Sequence, residues 1–238
     1  MQGVSRNLLI FGPPGAGKGT QAPRLAAELA LPHIATGDML RAHLREGTEL
    51  GARAKTYMEA GELVPDALVI EMLVDRISQG DARNGFLLDG FPRNVPQAEA
   101  LDAELQRHDR KIDALLVLDV GEEEIVRRIS GRLVCPNGHT WHATFNPPAV
   151  AGVCDTCGEP LTRRADDEPE VVRNRYRNVY LAETEPVRGH YRELGTPEAL
   201  IDGTGSPDDV YVRLRRAVDQ LLSSASRRAR SRSRRRRA

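Results

Sequence analysis

The glycine-rich run Gly12-Pro13-Pro14-Gly15-Ala16-Gly17-Lys18-Gly19-Thr20 constrains this chain more than any other stretch. Asn7 to Phe11, just before it, is a short apolar run that stops at glycine, as a buried parallel strand does. Lys18 to Ala30, just after it, sets Ala22, Leu25, Ala26 and Leu29 at helical spacing. Glycines in such a turn let the backbone curl around an anion with successive N–H groups pointing inward, and the helix N-terminus adds partial positive charge. Lys18 can follow the charge that develops on a transferred phosphoryl group. The spacing is that of a P-loop, with one departure: Gly19 holds the usual Ser/Thr position and Thr20 follows one residue later.

The rest of the chain continues this alternation. Strands are expected at His33–Ala35, Phe86–Asp89, Ala114–Asp119 and Ala199–Asp202. Helices are expected from Thr36 or Asp38 (plausible caps) to Leu44, then over Gly51–Ala60, Asp66–Ser78, Asn94–Gln106, Glu122–Ser130, Glu170–Leu194 and Pro207–Leu222. Strands alternating with helices predict an α/β fold whose parallel sheet is covered on both faces. A length of 238 residues suits one sizeable core with an insertion, or two small domains. Residues 131–167 break the rhythm, gathering all three cysteines with Pro136, Pro147, Pro148 and Pro160, and read as an inserted unit of turns and short strands.

Composition excludes some partners. No apolar run approaches the ~20 residues that span a bilayer. Met1 to Arg6 has none of the features of a secretory leader, so a cytoplasmic location is expected. The formal charge of zero conceals an imbalance: residues 223–238 hold eight arginines and no acid. Taking those eight from 34 basic residues leaves 26 against 34 acidic ones, so the body carries about −8 and the tail +8. With no apolar residue beyond alanine, the tail is expected to be a disordered extension; contact with nucleic acid is the sharper alternative.

A second anion site faces the first along the sequence. Phe86-Leu87-Leu88-Asp89-Gly90-Phe91-Pro92-Arg93 puts a carboxylate at the end of a buried strand, where it either organises Mg²⁺ or caps the loop. Arg93 can fork onto a phosphate. Gln97 offers an amide pair for a base edge, or is simply an exposed helix residue. Thr36-Gly37-Asp38-Met39-Leu40-Arg41 opens another helix whose free N–H groups and Arg41 suit an anion. Two such sites suggest two nucleotides, or a nucleotide and a phosphorylated acceptor.

Taken together, GPPGAGKGTQA, TGDMLR, AGELVPDALV, GFLLDGFPRNVPQAEAL, FNPP and RRADDEPEVVRNR resemble adenylate kinase of the bacterial long-lid, zinc-binding type, from about Asn7 to Leu222. The resemblance implies a P-loop core (1–35, 66–130 and 168–222), an AMP-binding region at 36–65 and a lid at 131–167. It implies reversible, Mg-dependent transfer of the terminal phosphoryl group of ATP to AMP, in a monomer serving adenine nucleotide homeostasis. It places ATP on Gly15, Ala16, Gly17, Lys18, Gly19, Thr20, Arg132, Thr140, Trp141 and Gly205, the last through its main chain alone. AMP falls on Thr36, Arg41, Glu62, Leu63, Val64, Gly90, Phe91, Pro92, Arg93, Gln97, Arg164 and Arg175. Lys18, Asp89, Arg93, Arg132, Arg164 and Arg175 are implied to be catalytic, and Asp166 and Asp167 match acids at the lid edge. Trp141 is expected to pack within the lid; the family places a ring nearby against adenine.

In the lid, Cys154-x-x-Cys157 is a half-site for tetrahedral zinc. The other half is Cys135 with His139 as its nearest partner and His142 as the competitor, since the segment is one residue shorter than in zinc-binding relatives. Four protein ligands would make the metal structural. The competing functions are a kinase for another nucleoside monophosphate and an RNA-associated NTP-binding regulator.

Overall fold

The computed structural model describes residues 6–60, 62–164 and 167–235. A five-stranded sheet runs in the order β2 (His33–Ala35), β3 (Gly85–Asp89), β1 (Arg6–Phe11), β4 (Ala114–Asp119), β7 (Glu198–Asp202), with every neighbouring pair parallel. Side chains divide by parity along each strand, as the two-residue repeat requires. Leu9, Phe11, Phe86, Leu88, Leu115 and Val117 enter one core, while Leu8, Ile10, Leu87, Leu116 and Leu118 enter the other. The first is closed by α2 (Thr36–Arg45), α3 (Glu49–Ala60), α4 (Asp66–Ile77), α5 (Val95–Gln106) and α8 (Glu185–Glu193). The second is closed by α1 (Lys18–Leu29), α6 (Glu122–Ser130), α7 (Pro169–Asn174) and α9 (Pro207–Arg235). The doubly covered parallel sheet expected from the alternation is the fold observed.

Residues 131–167 hold β5 (Arg132–Val134) paired antiparallel with β6 (Thr140–His142), and isolated bridges Val134–Thr162 and Val153–Pro160. Their own core is small: Cys135, Cys154 and Leu161 are buried, with Leu133, Trp141 and Cys157 packed against them.

Three local expectations are corrected. Thr36 does not cap α2 with its side chain; it is the first helical residue, and its hydroxyl donates to the Gly90 carbonyl at 2.9 Å. The single helix expected over Glu170–Leu194 is α7, a π-helical segment over Arg175–Thr184, and α8. Pro186, at the start of α8, brings no N–H for an ordinary i−4 link, and wide π turns recur at functional sites. The disordered tail expected after Leu222 is also not what is described, because α9 continues to Arg235. After Pro207 that stretch has neither glycine nor proline, and alanine and arginine are strong helix formers, so a shortage of apolar residues does not stop the helix. Residues 236–238 lie outside the described residues. Among the described residues no helix is long and apolar enough to cross a membrane.

Candidate active site and lid metal centre

β1 is central in the sheet, so the loop that follows it opens at the carboxyl edge, where strand order places ligand crevices in α/β folds. The turn is held by the Ala16 N–H donating to the Pro13 carbonyl at 3.2 Å, and by Thr20 and Gln21 N–H groups donating to the Gly17 carbonyl, each at 3.0 Å. Gly15 has φ +80°, and a Cβ there would stand 2.7 Å from Ile129 Cγ1 of α6, so no other residue fits. Lys18 Nζ donates back to the carbonyls of Gly12 at 2.6 Å and Pro13 at 2.9 Å, bracing the loop from within.

Burial pushes the Lys18 ammonium down to about 8; the Asp89 carboxylate pulls it back up, and the guanidinium groups of Arg93, Arg175 and Arg132 press it further down. These partners come from the β3–α5 loop, the start of the π-helical segment and β5, so distant parts of the chain meet electrostatically at one point. Asp89 is the last residue of β3 and buried, with His33 Nε2 3.5 Å from its Oδ2. Arg132 grips the buried Asp167 with Nε to Oδ2 at 2.9 Å and Nη2 to Oδ1, a two-point fork. Arg164 is half-buried, and its carbonyl accepts the Asp167 N–H at 3.2 Å. Asp166, the other acid expected at the lid edge, lies outside the described residues.

On the facing side, Arg93 Nε donates to the Gly90 carbonyl at 2.8 Å, and the Arg93 carbonyl accepts the Thr184 hydroxyl at 2.8 Å. Arg41 pairs with Asp38 and lies over Gly37, 3.2 Å from where a Cβ would be. Val64, Phe91 and Pro92 are buried, Leu63 is half-buried and Glu62 exposed; the Phe91–Pro92 bond is cis. Gln97 is 1% exposed rather than a surface residue. Its Nε2 donates to Asp66 Oδ1 at 2.7 Å and its Oε1 accepts the Arg93 N–H at 2.8 Å, so both amide ends are engaged within the protein here. Asn94, whose side chain caps α5, also donates to Asp66.

The family model that matches residues 10–196 is that of adenylate kinase. An adenylate kinase of Streptomyces griseus is 52% identical over 213 residues, covering 89% of this chain and 96% of that protein. The chain belongs to the adenylate kinase family. Adenylate kinases of Methanosarcina barkeri (49% identical, 90% of this chain, 99% of the relative) and Lachnospira eligens (48%, 87% and 97%) match over similar extents.

Against the P-loop of this adenylate kinase core lies the β7–α9 loop. The Gly203 N–H donates to the Asp119 carbonyl at 2.9 Å, Gln21 Nε2 donates to the Pro207 carbonyl at 2.8 Å, and Gly205 is exposed at φ +98°. Within residues 131–167, Thr140 is exposed and Trp141 half-buried on the small cysteine core.

The metal reading can be tested on distances. His139 Nδ1 is 3.3 Å from Cys135 Sγ, 3.3 Å from Cys157 Sγ and 3.6 Å from Cys154 Sγ, and the Cys135 and Cys157 sulfurs are 3.6 Å apart. All four ligand atoms lie within 4.8 Å of one another. Tetrahedral zinc with Zn–S bonds of ~2.3 Å spaces its sulfur ligands by ~3.8 Å, and a nitrogen slightly closer. The group fits that ion. Burial alone would raise the Cys154 thiol, but the Trp141 indole N–H, 3.4 Å from the sulfur, and the backbone N–H groups of Thr156 and Cys157 outweigh it and bring it down to about 6, toward the thiolate a metal needs.

His142 is engaged elsewhere. Its Nδ1 accepts the N–H groups of Thr144 at 3.0 Å and Phe145 at 2.9 Å, and its ring stacks on Phe145 at 4.3 Å. The ring also occupies the space a Cβ on Gly131 would need. His139, four residues after Cys135, is therefore the fourth member of the group.

Sequence reasoning missed three side chains here. Asp66 anchors Gln97 and Asn94; it lies in the AGELVPDALV motif, where its position after Pro65 at the head of α4 was the available signal. His33 approaches Asp89 from the neighbouring strand, which only the β2–β3 register reveals. The exposed Arg45, at the end of α2, reaches the Pro136 carbonyl in the cysteine knuckle at 3.0 Å, a contact without sequence signature.

Proposed function

We propose that the chain catalyses reversible transfer of the terminal phosphoryl group of ATP to AMP, giving two ADP. The observation that carries this reading is the meeting of Lys18, Asp89, Arg93, Arg132 and Arg175 around one point, in a member of the adenylate kinase family. An AMP phosphate oxygen attacks the γ-phosphorus of ATP, the bond to the β-phosphate oxygen breaks, and ADP leaves. No covalent catalyst is needed; alignment and neutralisation of charge supply most of the acceleration.

The glycine loop, Gly15 to Thr20, holds the ATP phosphates, with Lys18 on the moving group. Arg132, fixed in orientation by Asp167, joins Arg164 and Arg175 in neutralising the developing charge. Thr36, Arg41, Leu63, Val64, Gly90 and Arg93 hold AMP. Gln97 reads the adenine edge once its bond to Asp66 or to the Arg93 N–H is exchanged for one to the base. Asp89 organises the Mg²⁺ that arrives with ATP, an ion that shields phosphate charge. Residues 131–167 act as a lid that excludes water during transfer, and zinc on Cys135, His139, Cys154 and Cys157 is structural. The protein works as a cytoplasmic monomer.

Initial rates of ADP formation in a coupled assay are expected to need Mg²⁺ and to be far higher with AMP than with GMP, CMP or UMP; a preference for a pyrimidine nucleotide would overturn the assignment. The Lys18 shift makes a second test. Below pH 8 the free enzyme already carries the ammonium that polyphosphate binds. Above it, the free enzyme loses that proton while bound phosphate holds it, so affinity falls by up to about tenfold per pH unit. Calorimetric titration with ATP should therefore show Kd rising above pH 8, and a flat profile in Lys18→Met.

A further inference from the structure

The kinase reading leaves one part of the chain without a role. The described helix α9 packs on the sheet through Val210, Tyr211, Leu214 and Val218, yet it continues to Arg235. From Leu222 onward that extension is roughly 20 Å of helix at ~1.5 Å per residue. The family model ends at residue 196, well before the arginine block that begins at Arg227. A match over 213 of the 238 residues already covers 96% of the Streptomyces griseus relative.

We propose that the arginine-rich end of α9 is a binding element for the phosphodiester backbone of nucleic acid, independent of the catalytic site. Eight arginines without an acid between 223 and 238 form a charge block opposite in sign to the body. Arginine presents a planar fork that matches phosphate oxygens. So many like charges in one short stretch of sequence repel one another, and a phosphate backbone removes that repulsion. The helix C-terminus also favours cations.

The segment contains no aromatic residue to stack on bases, so the contact ignores sequence. Its only apolar side chains are those of Ala225, Ala229 and Ala238, which gives a membrane-surface helix nothing to insert and favours nucleic acid over a lipid surface.

The test compares the full chain with a form ending at Leu222 and with a full-length form in which all eight tail arginines are glutamine. Fluorescence anisotropy is read against a mixed-sequence single-stranded RNA and a duplex DNA, and vesicle co-sedimentation against phosphatidylserine–phosphatidylcholine membranes, at matched phosphate. The full chain is expected to bind both nucleic acids and, with all eight arginines releasing counterions, to weaken by about 10³-fold on the RNA and about 10⁴-fold on the duplex DNA between 50 and 200 mM salt. Both altered forms should lose at least tenfold in binding at low salt while keeping kcat/KM for ADP formation. Equal nucleic-acid binding by the altered forms would overturn the proposal, as would tighter binding to the vesicles than to RNA or DNA. Loss of kinase activity together with binding would also overturn it, because the element would then belong to the catalytic body.

Discussion

Replacing Lys18 by methionine is expected to lower the rate of ADP formation by about 10²–10³-fold, the usual loss when one preorganised donor to a developing oxyanion is removed. Methionine keeps most of the stem that packs in the loop and removes the ammonium that donates to Gly12 and Pro13. Charge on the moving phosphoryl group then falls to the arginines, whose positions depend on other segments. The fold should not suffer. The folded-state pKa of Lys18 lies below its ordinary value, at about 8, so at pH 7 the ammonium is protonated in folded and unfolded chains alike and the cost of burying it is fully present. That cost is relieved only as pH rises through about 8, where the folded chain sheds its proton first. Methionine removes it outright, so the variant should melt at the same temperature or higher at pH 7. A variant that turned over near the normal rate, or that lost activity because it unfolded, would contradict the role given to Lys18.

The largest expected effect on stability comes from Cys154→Ser. Cys154 is buried, takes the Trp141 indole N–H and faces His139, so its loss removes one of four ligands and one wall of the small lid core. Zinc binding in such sites is itself folding free energy. A loss of about 4 kcal/mol, the scale at which removal of a metal shows itself, moves the melting point of a domain this size by roughly 10 °C. Scanning calorimetry with parallel metal analysis checks it: the wild-type chain should carry one equivalent of zinc, and a chelator should reproduce the variant's melting curve. At low temperature activity should fall less than stability, because Cys154 is not among the groups that bear on Lys18. An unaltered melting curve would remove the case for structural metal.

Much of this was legible in the residues. Apolar runs ending at glycine or aspartate gave β1, β3 and β4 because a strand buried on both faces must be apolar throughout. Cysteine spacing brought the metal group to within one choice of histidine. What separates His139 from His142 is backbone curvature: the turn from Cys135 to His139 aims one ring inward, and the bare Gly131 accepts the other. Burial of Gln97 removes the exposed alternative, but its bond to Asp66 was not legible, because local spacing says nothing about a carboxylate that arrives from another helix. The π-helical segment was hidden for the same reason, since its apolar spacing passes for an ordinary helix and only the hydrogen-bond ladder distinguishes it. The extension of α9 to Arg235 has no signature in apolar spacing, because it rests on backbone preference rather than on core residues.

The link from Arg45 to Pro136 joins two regions that share no core. Pro136 follows Cys135, the first member of the group that could hold a metal ion, so its carbonyl keeps its place only while the knuckle keeps its shape. Any change in that knuckle would therefore be felt at the end of α2 as well as inside residues 131–167. The helix would lose a foothold on its opposite number, and the two would have to find each other without it.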